Sequence, residues 1–86
     1  MDLYLYIMVD PDKMNRCKVG ITKNPEQRIR AYKTANPKCY FSYVSAIKNK
    51  YVEKTVLYEL KGAFVVDSEY VWSNPIIVQN IVESII

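Results

Sequence analysis

The sequence predicts an α+β domain: a small antiparallel three-stranded sheet flanked by helices, in the order β-β-α-β-α-α. Three observations lead there. The runs Leu3–Val9, Arg16–Ile21 and Tyr40–Ile47 are rich in β-branched and aromatic residues, as half-buried strands require. Three later or intervening segments carry helix-start residues or apolar positions at helical spacing. Turn residues separate these segments, and nothing between them reads as a linker, a repeat or a low-complexity tract. With 86 residues, 50% hydrophobic and 24% charged, the chain is sized for a single domain over residues 1–86 with one core, and its composition is globular rather than disordered.

The elements follow in order. In the first strand Leu3, Leu5, Ile7 and Val9 point one way, and Tyr4, Tyr6 and Met8 the other. Asp10-Pro-Asp-Lys-Met-Asn15 is a turn by composition. In the second strand Cys17, Val19 and Ile21 share one face, and Arg16, Lys18 and Gly20 the opposite one. If the apolar faces match across a hairpin, Tyr6 and Lys18 fall on the same side. Asn24 can then cap a helix, with Pro25 in its first position and Glu26 favoured by the helix dipole. That helix runs to about Ala35, and Arg28 and Tyr32, four apart, project from one of its faces. After the third strand, Tyr51 to Phe64 reads as a second helix with Val52, Val56, Leu60 and Phe64 as its buried stripe, ending near Gly62. Glu53 sits at the edge of that stripe. Residues 65–72 are irregular or hold a short strand. Asn74 and Pro75 open a last helix, with Ile77, Val78, Ile81, Val82, Ile85 and Ile86 expected to face inward.

Composition also excludes chemistry. The chain has no histidine, so triads built on imidazole and zinc held by imidazole are ruled out. Any base or ligand must be Tyr, Lys, Arg, Glu or Asp. Cys17 and Cys39 form no Cys-x-x-Cys pair and are too few for a disulfide scaffold; they read as free thiols in a reducing compartment. No apolar run is long enough to span a membrane. No basic region precedes the apolar start, so a secretory signal is not expected and an intracellular location is.

Net charge is +3, but the average hides a segregation. Residues 13–38 carry Lys13, Arg16, Lys18, Lys23, Arg28, Arg30, Lys33 and Lys38 against Glu26 alone. A block this basic suits a polyanion, either as a docking surface or simply as a solvated basic helix.

Tyr4-Leu5-Tyr6 in the first strand and Lys18-Val19-Gly20 in the second resemble the two motifs of the GIY-YIG endonuclease superfamily. An Arg follows the second motif's glycine by eight residues, at Arg28, and an aromatic lies four further on, at Tyr32. A helical Glu follows the third strand, at Glu53. Ser68-Glu-Tyr-Val71 is similar to the Gly-Glu-Trp-Phe segment of the short phage- and virus-type branch, which also prefers Lys where the second motif normally has Tyr. Taken one at a time these residues have plainer readings. Tyr6 is a packed strand aromatic, Lys18 and Arg28 are solvated cations, Glu53 is a surface carboxylate, and Gly20 is a bulge or a close packing point. The resemblance lies in their arriving together and in order over nearly the whole chain.

The resemblance implies a metal-dependent phosphodiesterase acting on DNA, with one Mg²⁺ or Mn²⁺. Glu53 would be the metal ligand, Arg28 a bidentate phosphate donor, and Tyr6, with Tyr32 nearby, would orient or activate water. Lys18 stands where the second tyrosine is usual, so the general base is either Tyr6 or Lys18. The family's late Asn has a candidate in Asn74. Arg16, Lys23, Arg30 and Lys33 would contact phosphates, which position DNA without reading its sequence, and a homodimer would extend that surface. The alternative is a catalytically degenerate copy that binds nucleic acid or a protein partner with the same face.

Overall fold

The structure, a computed structural model, describes residues 2–13 and 15–86. Met14, inside the turn expected over residues 10–15, lies outside them. The elements are β1 Leu3–Val9, β2 Cys17–Thr22, α1 Pro25–Ala35, β3 Tyr40–Ile47, α2 Tyr51–Lys61, β4 Val66–Asp67, β5 Tyr70–Val71 and α3 Pro75–Ile85. They build one five-stranded sheet of order β3-β1-β2-β5-β4, antiparallel at each pairing. The three-stranded expectation is therefore corrected: β4 and β5 extend the sheet beyond β2. Two-residue strands are too short to show a period of two, so residues 65–72 look irregular in sequence.

The β4–β5 hairpin turns through Ser68 and Glu69, since Asp67 pairs with Tyr70. Ser68 has φ 56, the left-handed region that a tight hairpin turn of the II′ type demands at its first central residue. The main-chain N–H of Val19 donates to the Glu69 carbonyl at 2.9 Å. The hairpin tip is thus tied to β2.

Alternation along β1 and β2 gives the sheet two different faces. Leu5, Ile7, Val9, Cys17, Val19 and Val71 pack with Val56 and Leu60 of α2 and Val78 and Val82 of α3 into the main core. Each fully buried aliphatic side chain there contributes about 1.5–3 kcal/mol. On the opposite face Tyr6, Met8 and Cys39 form a smaller cluster with Ile29, Tyr32 and Phe41. Helices α2 and α3 therefore cover one face, and α1 covers the β1–β3 part of the other. α1 has no fully buried residue, and the β2–β5 part of that face carries the half-buried Arg16, Lys18, Tyr70 and Trp72.

The helix ends follow their residues. Asn24 accepts from the Gln27 N–H at 3.1 Å ahead of Pro25, and Asn74 accepts from the Ile76 N–H at 2.7 Å ahead of Pro75. α2 stops at Lys61, three residues short of the expected Phe64, because Gly62 follows and the chain tightens, with the Phe64 N–H bonded to the Leu60 carbonyl at 2.8 Å. α3 buries Val78 and Val82 with Ile81 and Ile85 packed beside them, but Ile77 and Ile86 are 47% and 49% exposed. Ile77 lies beside the stripe that α3 turns to the core, and Ile86 follows the helix as its C-cap.

Candidate functional site

The site starts with a ring and a missing side chain. Tyr6 pairs directly with Gly20 across β1 and β2, and both point to the α1 side. A Cβ at Gly20 would lie 2.5 Å from Tyr6 Cζ and closer still to its hydroxyl. Only glycine leaves room for the ring to lie over β2. Tyr6, fully buried as a residue, stacks on Phe41 with centroids 4.6 Å apart and meets Tyr32 edge-on at 6.0 Å. Its hydroxyl shares a 2.7 Å hydrogen bond with the Tyr32 hydroxyl, and Arg28 Nη1 approaches it at 3.5 Å. Burial first, then the Tyr32 hydrogen bond, pushes the Tyr6 phenol well above its ordinary value. The phenol is thus held protonated, and it accepts from Arg28 while sharing a hydrogen bond with Tyr32 in which either hydroxyl can donate.

Lys18 extends the cluster. Its ammonium lies 5.3 Å from the Tyr32 ring centroid and 5.4 Å from that of Tyr70, and forms a 3.5 Å ion pair with Glu69. Burial disfavours its charge, yet the Tyr32 oxygen and the Glu69 carboxylate outweigh burial and shift the amine upward. Lys18 is thus a cation at neutral pH.

Glu53 reaches the cluster from the other side of the sheet. It lies in the first turn of α2, and its Oε2 is buried without a hydrogen-bond partner among the described residues. Glu69 is the neighbour: burial, then the charge and hydrogen-bonding proximity of Glu69, raise the Glu53 carboxyl, while Lys18 and Lys54 pull it down. Glu69 is paired with the Lys18 ammonium, whereas the buried Glu53 oxygen beside it has no donor among the described residues. Such an oxygen needs a proton or a cation.

The structure thus brings Tyr6, Lys18, Arg28 and Tyr32 together over one face and joins Glu53 to them through Glu69. Arg28 lines a shallow groove with Thr22, Asn24 and Gln27, and Lys18 and Tyr32 line a different one with Tyr70. Arg16 lies over the Tyr70 ring. Lys23, Arg30 and Lys33 are exposed cations outside the cluster. Asn74, occupied in capping α3, lines a separate groove with Val9 and Tyr40. Sequence reasoning missed Glu69 and Tyr70 as site residues. Their signal was present in the Ser68–Val71 segment, but placing them needed the β2–β5 pairing of Lys18 with Tyr70.

A small α+β sheet domain carrying a Tyr–Tyr–Arg cluster beside a Lys–Glu–Glu cluster is the class that fold and site define. The chain matches the T5orf172 domain family over residues 3–86 and belongs to that family. No curated protein and no solved structure is a significant match.

Two outcomes follow from this geometry. Gly20→Ala should force the Tyr6 ring out of its place, at a cost of about 1–3 kcal/mol, read as a lower denaturation midpoint; a variant as stable as the parent would show that the ring does not depend on Gly20. Glu53 has a folded pKa above its unfolded one, so its charge costs stability at neutral pH, and that cost disappears as pH falls through the ordinary carboxylate range. In metal-free buffer Glu53→Gln should therefore melt above the parent at neutral pH, with the gap closing on acidification. A gap that does not change with pH would contradict the burial of Glu53 beside Glu69.

Proposed function

We propose that this domain is a divalent-metal-dependent DNA endonuclease of GIY-YIG type with little sequence preference of its own. What supports the reading most is the Arg28 guanidinium beside the Tyr6–Tyr32 hydroxyl pair, together with a carboxylate, Glu53, whose buried oxygen has no partner among the described residues.

That orphaned oxygen, facing Glu69, fits a hard cation. Among the described residues no group of three or more acidic, cysteine or histidine side chains is placed to hold one. Mg²⁺ and Mn²⁺ keep several waters and take one or two carboxylates plus substrate phosphate oxygens, and Glu53, with Glu69 beside it, would supply such a carboxylate. Glu53 would hold the ion, which when bound supplies charge neutralisation and a more acidic water.

The chain's own groups do the rest. Arg28 offers a planar fork to a phosphate. The Tyr6 phenol, kept protonated, donates a hydrogen bond and orients what lies against it. Lys18, kept cationic, contacts phosphate and steadies developing negative charge. Neither Tyr6 nor Lys18 is set up to accept a proton at neutral pH, so their part is to position and to donate. The exposed cations of α1 and its approach, Lys23, Arg30 and Lys33, add phosphate contacts around this centre.

Incubation of supercoiled plasmid with Mn²⁺ tests the reading. The parent should nick it, and Glu53→Gln should lose cleavage while binding DNA as well as before. Arg28→Ala should weaken both, by about 1.5–3 kcal/mol for one charge-assisted contact. Equal cleavage by Glu53→Gln and the parent would overturn the metal assignment. A parent that binds DNA and never cuts would leave a nucleic-acid-binding module in place of the nuclease.

A further inference from the structure

The part of the site face that α1 leaves uncovered holds an aromatic and cationic arrangement in which Lys18 and Tyr32 are shared with the proposed cleavage centre while Arg16, Tyr70 and Trp72 have no part in that chemistry. The Arg16 guanidinium lies 4.1 Å above the Tyr70 ring and 5.5 Å from that of Trp72. The Lys18 ammonium sits between the rings of Tyr32 and Tyr70, 5.3 and 5.4 Å from their centroids. One ring comes from α1 and the other from β5, and the second is held in place by the pairing of Tyr70 with Lys18. Both rings line a cavity of about 140 Å³, together with Met8, Cys39, Lys13, Arg16 and Lys18. Asp10 also lines it, but its Oδ1 is engaged by Asn36 Nδ2 at 2.7 Å.

We propose that this cleft takes an unpaired nucleobase of a DNA strand, beside the phosphate that Arg28 would hold. The proposal rests on the reading above that this face binds DNA, and it adds the substrate form. A base in a duplex shows only its edges to a protein, whereas aromatic walls and a guanidinium plane recognise the flat face of a base that has left its stack. Arg16 makes no ion pair among the described residues. Its planar cation is held by rings alone, the arrangement that stacks on a base and steers its phosphate. Cations at the rim match a polyanion and oppose a basic or purely apolar occupant. Structures with unpaired nucleotides, such as flaps, gaps, ends or single strands, would thus be preferred over continuous duplex.

The test is binding in EDTA, where nothing is cut. A labelled single-stranded oligodeoxynucleotide is compared with the same strand made abasic at its central positions and with a blunt duplex of equal length. Trp72 is the chain's single tryptophan and reports stacking nearby through its emission. The parent should bind the intact strand about 5- to 100-fold more tightly than the abasic one, and only the intact strand should quench Trp72. Tyr70→Leu should lose that discrimination but keep binding to the abasic strand, and Tyr70→Phe should restore it. Equal affinity of the parent for intact and abasic strands, or a preference for blunt duplex, would overturn the cleft, and since the ligand is varied there, the result stands even if Tyr70→Leu fails to fold. If plasmid nicking with Mn²⁺ survives that outcome, only the cleft falls. If discrimination holds and no cleavage is found, only the nuclease reading falls.

Discussion

The Tyr6 ring lying over Gly20 is the contact on which the rest of the site depends. It joins β1 to β2 at one register position, and it works only because β2 has no side chain there. From that position the ring stacks on Phe41 and turns its hydroxyl to Tyr32. Tyr32 and Arg28 are one helical turn apart on α1, so fixing one fixes the other. A helix with no fully buried residue is held mainly by this aromatic cluster and its caps. The polar end of the cluster is therefore positioned by its apolar end.

The second constraint is the β4–β5 hairpin. It is four paired residues around a two-residue turn, and it adds little core beyond Val71. Its consequence is electrostatic. By extending the sheet past β2 it brings Glu69 within reach of Lys18 and Glu53 and sets Tyr70 beside Lys18. Lys18 is thereby fixed between two rings and a carboxylate and remains charged, while Glu53 is left facing another acid.

Much of the fold was legible because long elements repeat their signals. The two faces of β1 and β2 follow from alternation, β3 spans the run Tyr40–Ile47, and Asn24-Pro25 starts α1 where a cap and a first-turn proline belong. The hairpin was not legible, since two residues per strand show no period. Nor was the exposure of Ile77 and Ile86, because periodicity shows which residues are apolar and not which of them the fold covers. In the candidate site, Tyr6, Lys18, Arg28, Tyr32 and Glu53 come from the family resemblance, while composition and periodicity alone read them as packed or solvated side chains. Glu69 cannot be placed from the sequence, because it is set beside Lys18 by the β2–β5 strand pairing across some fifty residues of sequence.

On the proposed reading, groups from the two faces of one sheet, Arg28 on α1 and Glu53 on α2, would act on a single phosphate. The most direct measurement is a crystal structure with Mn²⁺ and a cleavage-resistant phosphorothioate oligonucleotide, with manganese located by its anomalous scattering. The expected result is one manganese peak at Glu53, with a phosphate between it and the Arg28 guanidinium and the Tyr6 hydroxyl turned toward that phosphate. Manganese bound away from Glu53, or a phosphate held by Arg28 with no path to Glu53, would contradict a shared centre.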